Sequence, residues 1–141
     1  MKRRAVTWFS LVLGALLTSV APAVEFDEVR DFEEVFVVSA TAVSRDRVEV
    51  RWDIEEGYYL YNNKFLKFQP LTEGMVLGEP DIPKGDLSFD ELLGEEVEKY
   101  HGSLVVGIPL VSLPAGAETV QLRVRSQGCL ENVLCYPPTQ Q

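Results

Sequence analysis

Apolar and polar positions alternate through most of this chain, and their period is two rather than that of a helix. The clearest run sets Val48, Val50, Trp52 and Ile54 against Glu49, Arg51 and Asp53. A strand of this kind buries one face and leaves the other charged and wet, which belongs to an antiparallel sheet with one solvated side. Upstream, the pattern predicts a strand over residues 35–43, with Phe36, Val38, Ala40 and Ala42 sharing a face; residues 24–36 are mixed and read as either a short helical turn or an irregular lead-in. Tyr58, Tyr59, Leu60 and Tyr61 follow a Glu55-Glu56-Gly57 turn and are rich in strand-favouring side chains. Asn62-Asn63 breaks that strand, and residues 64–69 resume it. Leu104, Val106, Ile108 and Leu110 alternate in the next long strand, in which Pro109, lacking an N–H, predicts an edge position or a strand end. A turn over 113–117 leads into Val120, Leu122 and Val124.

Between these runs, residues 70–102 are punctuated by Pro70, Gly74, Gly78, Pro80, Pro83, Gly85, Gly94 and Gly102. Short strands are predicted at 75–77 and 97–100, and residues 89–94 read as a loop packed on something, because Leu92 and Leu93 sit side by side in it. About seven short strands in roughly a hundred residues, with no long helix, predict an all-β antiparallel sandwich.

The N-terminus changes the compartment. Lys2, Arg3 and Arg4 precede an uncharged apolar run over residues 5–20, and Ala21-Pro22-Ala23 places small residues where a signal peptidase cuts. That layout predicts a signal peptide over 1–23, cleaved after about Ala23; the alternative is an uncleaved anchor helix, for which the run is short of the ~20 residues that span a bilayer. The remaining residues, 24–141, form one domain, with no stable membrane insertion after cleavage, in the periplasm if the source is Gram-negative. Removing the three basic residues shifts the formal charge from −9 to −12. So acidic a chain excludes nucleic acid as a partner, since phosphates require Lys and Arg.

The candidate chemistry is the only cysteine pair, Cys129 and Cys135, near the end of the chain. Export makes a disulfide between them expected. As a staple across a hairpin it would contribute only about 2–2.5 kcal/mol by chain entropy, because the loop is so short. Spacing and composition alone leave a staple and a redox centre equally open. A metal site is not supported, since two thiolates and the single His101 do not make a four-ligand set. His101 reads as a surface loop residue, and no nucleophile triad or phosphate-binding glycine loop is present.

Beyond this, the sequence resembles a known family. Gln127-Gly128-Cys129, followed by Cys135-Tyr136-Pro137-Pro138, with Gly57-Tyr58-Tyr59-Leu60-Tyr61 ahead of it and Phe89-Asp90-Glu91 and Gly94 between, is similar to the DsbD N-terminal domain family. The resemblance implies an immunoglobulin-like β-sandwich and a reversible Cys129–Cys135 redox centre that uses no cofactor. It implies electrons taken from a thioredoxin-like domain or membrane reductase, and passed to periplasmic disulfide isomerases or to the thioredoxin-like protein of cytochrome c maturation. Cys135 matches the cysteine of the intermolecular mixed disulfide, and Cys129 its intramolecular partner. Tyr59, Tyr61, Asp90 and Glu91 match the residues lining the site; each tyrosine taken singly is also explained by ordinary strand packing. Phe89, Leu92, Leu93 and Gly94, with the two acidic residues, match a cap loop that shields the pair.

Three expectations follow from this resemblance. The carboxylates of Asp90 and Glu91 should disfavour a thiolate and raise a cysteine pKa above the ordinary ~8.5. The family's cap carries aromatic residues where Leu92 and Leu93 stand, so this cap should hold less tightly. The family continues into a membrane domain and a thioredoxin-like domain; with Gln141 the last residue here, the electron donor is expected on another chain or on a longer gene product, and the last strand is expected to be incomplete. The reading from a different class is a secreted immunoglobulin-like binding module whose disulfide is purely structural.

Overall fold

The computed structural model describes residues 29–62, 65–91 and 93–141. The signal segment and Leu92 lie outside the described residues. One helical turn, α1 (Phe32–Val35), leads into strands β1 (Phe36–Ser44), β2 (Arg47–Ile54), β3 (Tyr58–Tyr61), β4 (Lys67–Pro70), β5 (Val76–Leu77), β6 (Asp86–Asp90), β7 (Glu95–Tyr100), β8 (Ser103–Ser112), β9 (Leu122–Ser126), β10 (Gly128–Leu130), β11 (Leu134–Cys135) and β12 (Thr139–Gln140). They form a four-stranded sheet in the order β1-β2-β8-β5, a five-stranded sheet β11-β10-β3-β7-β6 and a three-stranded ladder β12-β9-β4. Every pairing among them is antiparallel.

The long registers lie in the first sheet. β1 runs from Phe36 opposite Ile54 to Ser44 opposite Arg47, and β2 runs from Arg47 opposite Pro109 to Asp53 opposite Ser103. Val48, Val50, Trp52 and Ile54 all turn inward, as their alternation predicts. They meet Leu60, Tyr58 and Tyr100 of the five-stranded sheet, and Val124 of the three-stranded ladder, in one apolar cluster. Trp52 is fully buried and meets Phe68 edge-on at 6.1 Å between ring centroids. Each such side chain removed from water stabilises the fold by about 1.5–3 kcal/mol. The result is the immunoglobulin-like antiparallel β-sandwich that the resemblance implies.

Three expectations need correction. Residue Val35 is helical, and only Phe36 is buried on β1's predicted inner face. Ala40 and Ala42 instead border an open groove beside Leu113 and Val120. Pro109 is not on an edge strand, because β8 lies between β2 and β5. On the side facing β5, Gly107 exchanges two backbone hydrogen bonds with Asp81, whereas Pro109 only accepts one, from the Gly78 N–H at 2.7 Å. The neighbouring segment asks Pro109 for a carbonyl alone, so the missing N–H costs nothing there.

The third correction concerns residues 89–94. Phe89 and Asp90 belong to strand β6, which pairs with β7 from Asp86 opposite Lys99 to Asp90 opposite Glu95. The cap is therefore the tip of a hairpin, with Glu91, Leu93 and Gly94 in its turn. Gly94 closes that turn at φ +68°, its N–H donating to the Asp90 carbonyl at 2.7 Å. The strand escaped the pattern because its apolar residues, Leu87 and Phe89, are 64% and 62% exposed. The final strand, β12, is two residues long and pairs with β9, and Gln141 exchanges two 2.9 Å backbone hydrogen bonds with Val124.

Gly128 has a packing reason to be glycine. A Cβ built there would lie 2.2 Å from Cζ of Phe36, whose ring is fully buried and has no room to retreat. Gly128→Ala is expected to destabilise the chain by about 1–3 kcal/mol through overpacking. Urea unfolding measures this, and an unchanged midpoint would contradict the packing described.

Candidate functional site

The site grows from β3. Gly57 makes the preceding turn at φ +84°, a conformation open to glycine at little cost. The four residues that follow are all buried, because β3 is flanked by β10 and β7 and covered on both faces. Tyr58 and Leu60 point into the main core. Tyr59 and Tyr61 point the other way, into a second cluster with Val97, Cys129 and Cys135.

The cysteine hairpin lies alongside. Cys129 sits opposite Tyr59 on one flank and opposite Cys135 on the other. The two cysteines are bonded, with Cα atoms 4.0 Å apart. The turn between their strands places Asn132 at φ +59°, a left-handed conformation that asparagine tolerates, and the Glu131 N–H anchors the turn to the Gly57 carbonyl at 2.9 Å. The signature residues around the pair hold this hairpin in place. Gln127 donates its side-chain amide to the Tyr136 carbonyl at 3.0 Å. Tyr136 donates its hydroxyl to the Arg30 carbonyl at 2.7 Å and packs its ring against Phe32, Phe36 and Tyr58. Burial, followed by its contacts with Tyr58, pushes the Tyr136 hydroxyl up to about 12, so it stays a donor at neutral pH.

The two sulfurs are not equivalent. Cys129 is 1% exposed. Cys135 is half-buried and lines an open groove of about 430 Å³, together with Tyr59, Phe89, Asp90, Glu91 and Lys99. A thiolate from outside can approach only a sulfur it can reach.

Polar groups converge beside Cys135. The Tyr61 hydroxyl lies 3.8 Å from Cys135 Sγ and donates to Asp90 Oδ2 at 2.6 Å. The Tyr59 hydroxyl is 3.2 Å from that of Tyr61. Burial, then the hydrogen bond to Asp90, raises the Tyr61 pKa far above the ordinary phenol value, so the hydroxyl keeps its proton. Asp90 is 4% exposed. Its burial favours the neutral acid, but hydrogen bonds from Tyr61, from the Leu93 N–H at 3.1 Å and from Lys99 outweigh it and hold the carboxyl below its usual range.

The structure therefore brings together Cys129, Cys135, Tyr59, Tyr61, Asp90 and Glu91, with Phe89 bordering the groove. Glu91 is exposed, Leu93 is 39% exposed, and neither Leu93 nor Gly94 lines the groove. His101 stays at the surface, 3.6 Å from Asp86 through Nδ1, with its ring 5.7 Å from that of Tyr59. Among the described residues no cluster of His, Cys, Asp and Glu could hold a metal ion. Sequence reasoning missed Lys99. Its ammonium reaches Asp90 Oδ2 at 3.2 Å and sits 4.3 Å over the centre of the Tyr59 ring. The available signal was a single basic side chain in the acidic stretch Glu95-Glu96-Val97-Glu98-Lys99.

Comparison with known proteins gives a consistent picture. The family described as "Thiol:disulfide interchange protein DsbD, N-terminal" matches residues 27–141. The thiol:disulfide interchange protein DsbD of Ralstonia nicotianae is 32% identical over 136 residues, covering 96% of this chain and 22% of that protein. The DsbD of Neisseria meningitidis serogroup A is 33% identical over 137 residues, covering 96% of this chain and 21% of that protein. The chain thus spans about a fifth of the length of these curated relatives, at 22% and 21%. Among solved structures, the reduced DsbD N-terminal domain of Neisseria meningitidis superposes with a TM-score of 0.67 at 30% identity, over 83% of this chain and 89% of that one. A second, from a complex of the DsbD and PilB N-terminal domains of the same organism, gives 0.65 at 32% identity, over 81% and 84%. With a family match over residues 27–141 and solved relatives of the same fold, this chain belongs to the DsbD N-terminal domain family.

Proposed function

We propose that the chain is a periplasmic thiol–disulfide exchange domain that relays electron pairs through Cys129 and Cys135. The observation that carries this reading is the unequal burial of the two sulfurs, with Cys135 on an open groove and Cys129 behind it. A staple needs no accessible sulfur, whereas exchange needs one. No helix among the described residues is long and apolar enough to cross a membrane.

The oxidised pair accepts electrons in two steps. A thiolate of a reduced thioredoxin-like donor attacks Cys135 Sγ, forming a mixed disulfide and releasing Cys129 as a thiolate, which takes up a proton. The donor's second thiolate then attacks its own first sulfur, and Cys135 leaves as a thiolate, which takes up the second proton. The donor ends oxidised and the domain carries two electrons and two protons. Delivery reverses this sequence. The Cys135 thiolate attacks an acceptor disulfide, and Cys129 then attacks Cys135 Sγ, expelling the acceptor's sulfur as a thiolate. The acceptors are periplasmic disulfide isomerases and the thioredoxin-like protein of cytochrome c maturation. Phe89 and Val133, both exposed and lining the groove, give such a partner apolar surface to dock on. The solved complex of a DsbD N-terminal domain with the PilB N-terminal domain supports protein docking as a property of the fold. Phe89 and the turn residues Glu91, Leu93 and Gly94 act as the cap, moving aside when a partner arrives.

Two outcomes test this. In a Cys129→Ala variant, an oxidised thioredoxin-like protein should be trapped as a mixed disulfide through Cys135, visible on a non-reducing gel, whereas Cys135→Ala should trap far less. Absence of trapping, with Cys135 resistant to alkylation in the folded chain, would sink the proposal. Second, equilibration of the wild-type pair with a dithiol buffer should give a reduction potential above about −300 mV; a lower value belongs to a structural disulfide, and so to a secreted binding module.

A further inference from the structure

Resting on the exchange reading, we infer that Lys99 is a positioning residue whose cation sets the reactivity of Cys135 by acting through Asp90 and Tyr61. The four groups form a line. The Lys99 ammonium lies 3.2 Å from Asp90 Oδ2. The same oxygen accepts the Tyr61 hydroxyl at 2.6 Å, and that hydroxyl lies 3.8 Å from Cys135 Sγ. One phenol group separates a buried carboxylate from the sulfur that exchanges.

An uncompensated anion in that place has two costs. Its own desolvation is unfavourable, because Asp90 is 4% exposed. It also repels the thiolate that must form on the far side of Tyr61. The cation offsets both. Its placement is built, since the Lys99 side chain is 16% exposed and its ammonium rests on the face of the Tyr59 ring at 4.3 Å. Ion pairing with Asp90 keeps Lys99 charged despite the opposing effect of burial. Tyr61 commits its proton to Asp90 and so presents an acceptor toward the sulfur, which suits a protonated Cys135. The acidic groups alone would hold Cys135 as an unreactive thiol, and Lys99 limits how far they do so.

The charged and titratable groups around Cys135 come from every neighbouring element. They are Tyr59 and Tyr61 on β3, Asp90 on β6, Glu91 in the turn and Lys99 on β7. Glu131 is exposed in the turn of the cysteine hairpin itself, and His101, paired with Asp86, lies behind Tyr59. Among these, Lys99 is the cation whose ammonium touches the Asp90–Tyr61 pair directly.

The test is the pH dependence of Cys135 alkylation by iodoacetamide in the Cys129→Ala background, between about pH 6 and pH 10. Adding Lys99→Met should raise the midpoint by about one pH unit, slowing alkylation about tenfold at pH 8. Lys99→Arg, which keeps the charge, should stay near the parent. Asp90→Asn should lower the midpoint, and in that background Lys99→Met should move it less than half as far. The Asp90→Asn pair strands no buried anion, so that comparison stands even where Lys99→Met alone unfolds the chain. An unmoved midpoint in Lys99→Met, or an equal shift with and without Asp90, overturns the inference. Mixed-disulfide trapping is scored separately, so failure of exchange itself is distinguishable from failure of Lys99 to tune it.

Discussion

A strand buried on both faces, with tyrosines on it, constrains everything around the site. β3 places Tyr58 and Leu60 in the sandwich core and Tyr59 and Tyr61 on the opposite face. The second pair cannot stay dry without cover, and its hydroxyls cannot be buried without partners, because an unpaired buried hydroxyl costs about 1–3 kcal/mol. Cover comes from the cysteine hairpin on one side and the β6–β7 hairpin on the other. Partners come as a chain in which Tyr61 requires Asp90, and the buried Asp90 requires Lys99. The polar network beside the disulfide is thus the price of an aromatic strand in the middle of a sheet.

The same arrangement makes the two cysteines unequal. Cys129 occupies an interior position of the five-stranded sheet, between β3 and β11, and inherits that burial. Cys135 lies on β11, which among the described residues is the edge strand of its sheet, and it opens onto the groove. A hairpin this short gains little stability from its cross-link. The signature residues around it supply the rigidity instead: Gly128 lets the Phe36 ring approach, and Gln127 and Tyr136 tie the two strands to each other and to the segment before α1. A rigid platform with one accessible sulfur favours exchange with a partner over random reaction.

The acidic residues read differently once packed. In sequence, Asp90 and Glu91 are neighbours of one sign, and both were expected to press on a thiolate. In the fold their environments diverge. Asp90 turns inward to Tyr61 and Lys99, whereas Glu91 remains in solvent at the hairpin tip. Water screens Glu91, so its effect on the sulfur is weak, and the balance at Cys135 rests on the buried Asp90–Lys99 pair.

What the sequence determined by itself is what local periodicity and local chemistry can encode. The alternation from Val48 to Ile54 identified β2 because its two faces meet different solvents, and several such runs sufficed for an antiparallel sandwich. The motif around Cys129 and Cys135 identified the family and singled out the cysteine pair. Tertiary structure decided the rest. β6 was hidden because Leu87 and Phe89 point into water, where alternation carries no burial signal. The outer half of β1 carries apolar residues on its predicted inner face, but an open groove lies opposite them. Lys99 was silent because it acts across strands: Asp90 reaches it only when β6 pairs with β7, and Tyr59 only when β7 pairs with β3. Electrostatic partners that meet by pairing of distant strands leave no spacing in the sequence to read.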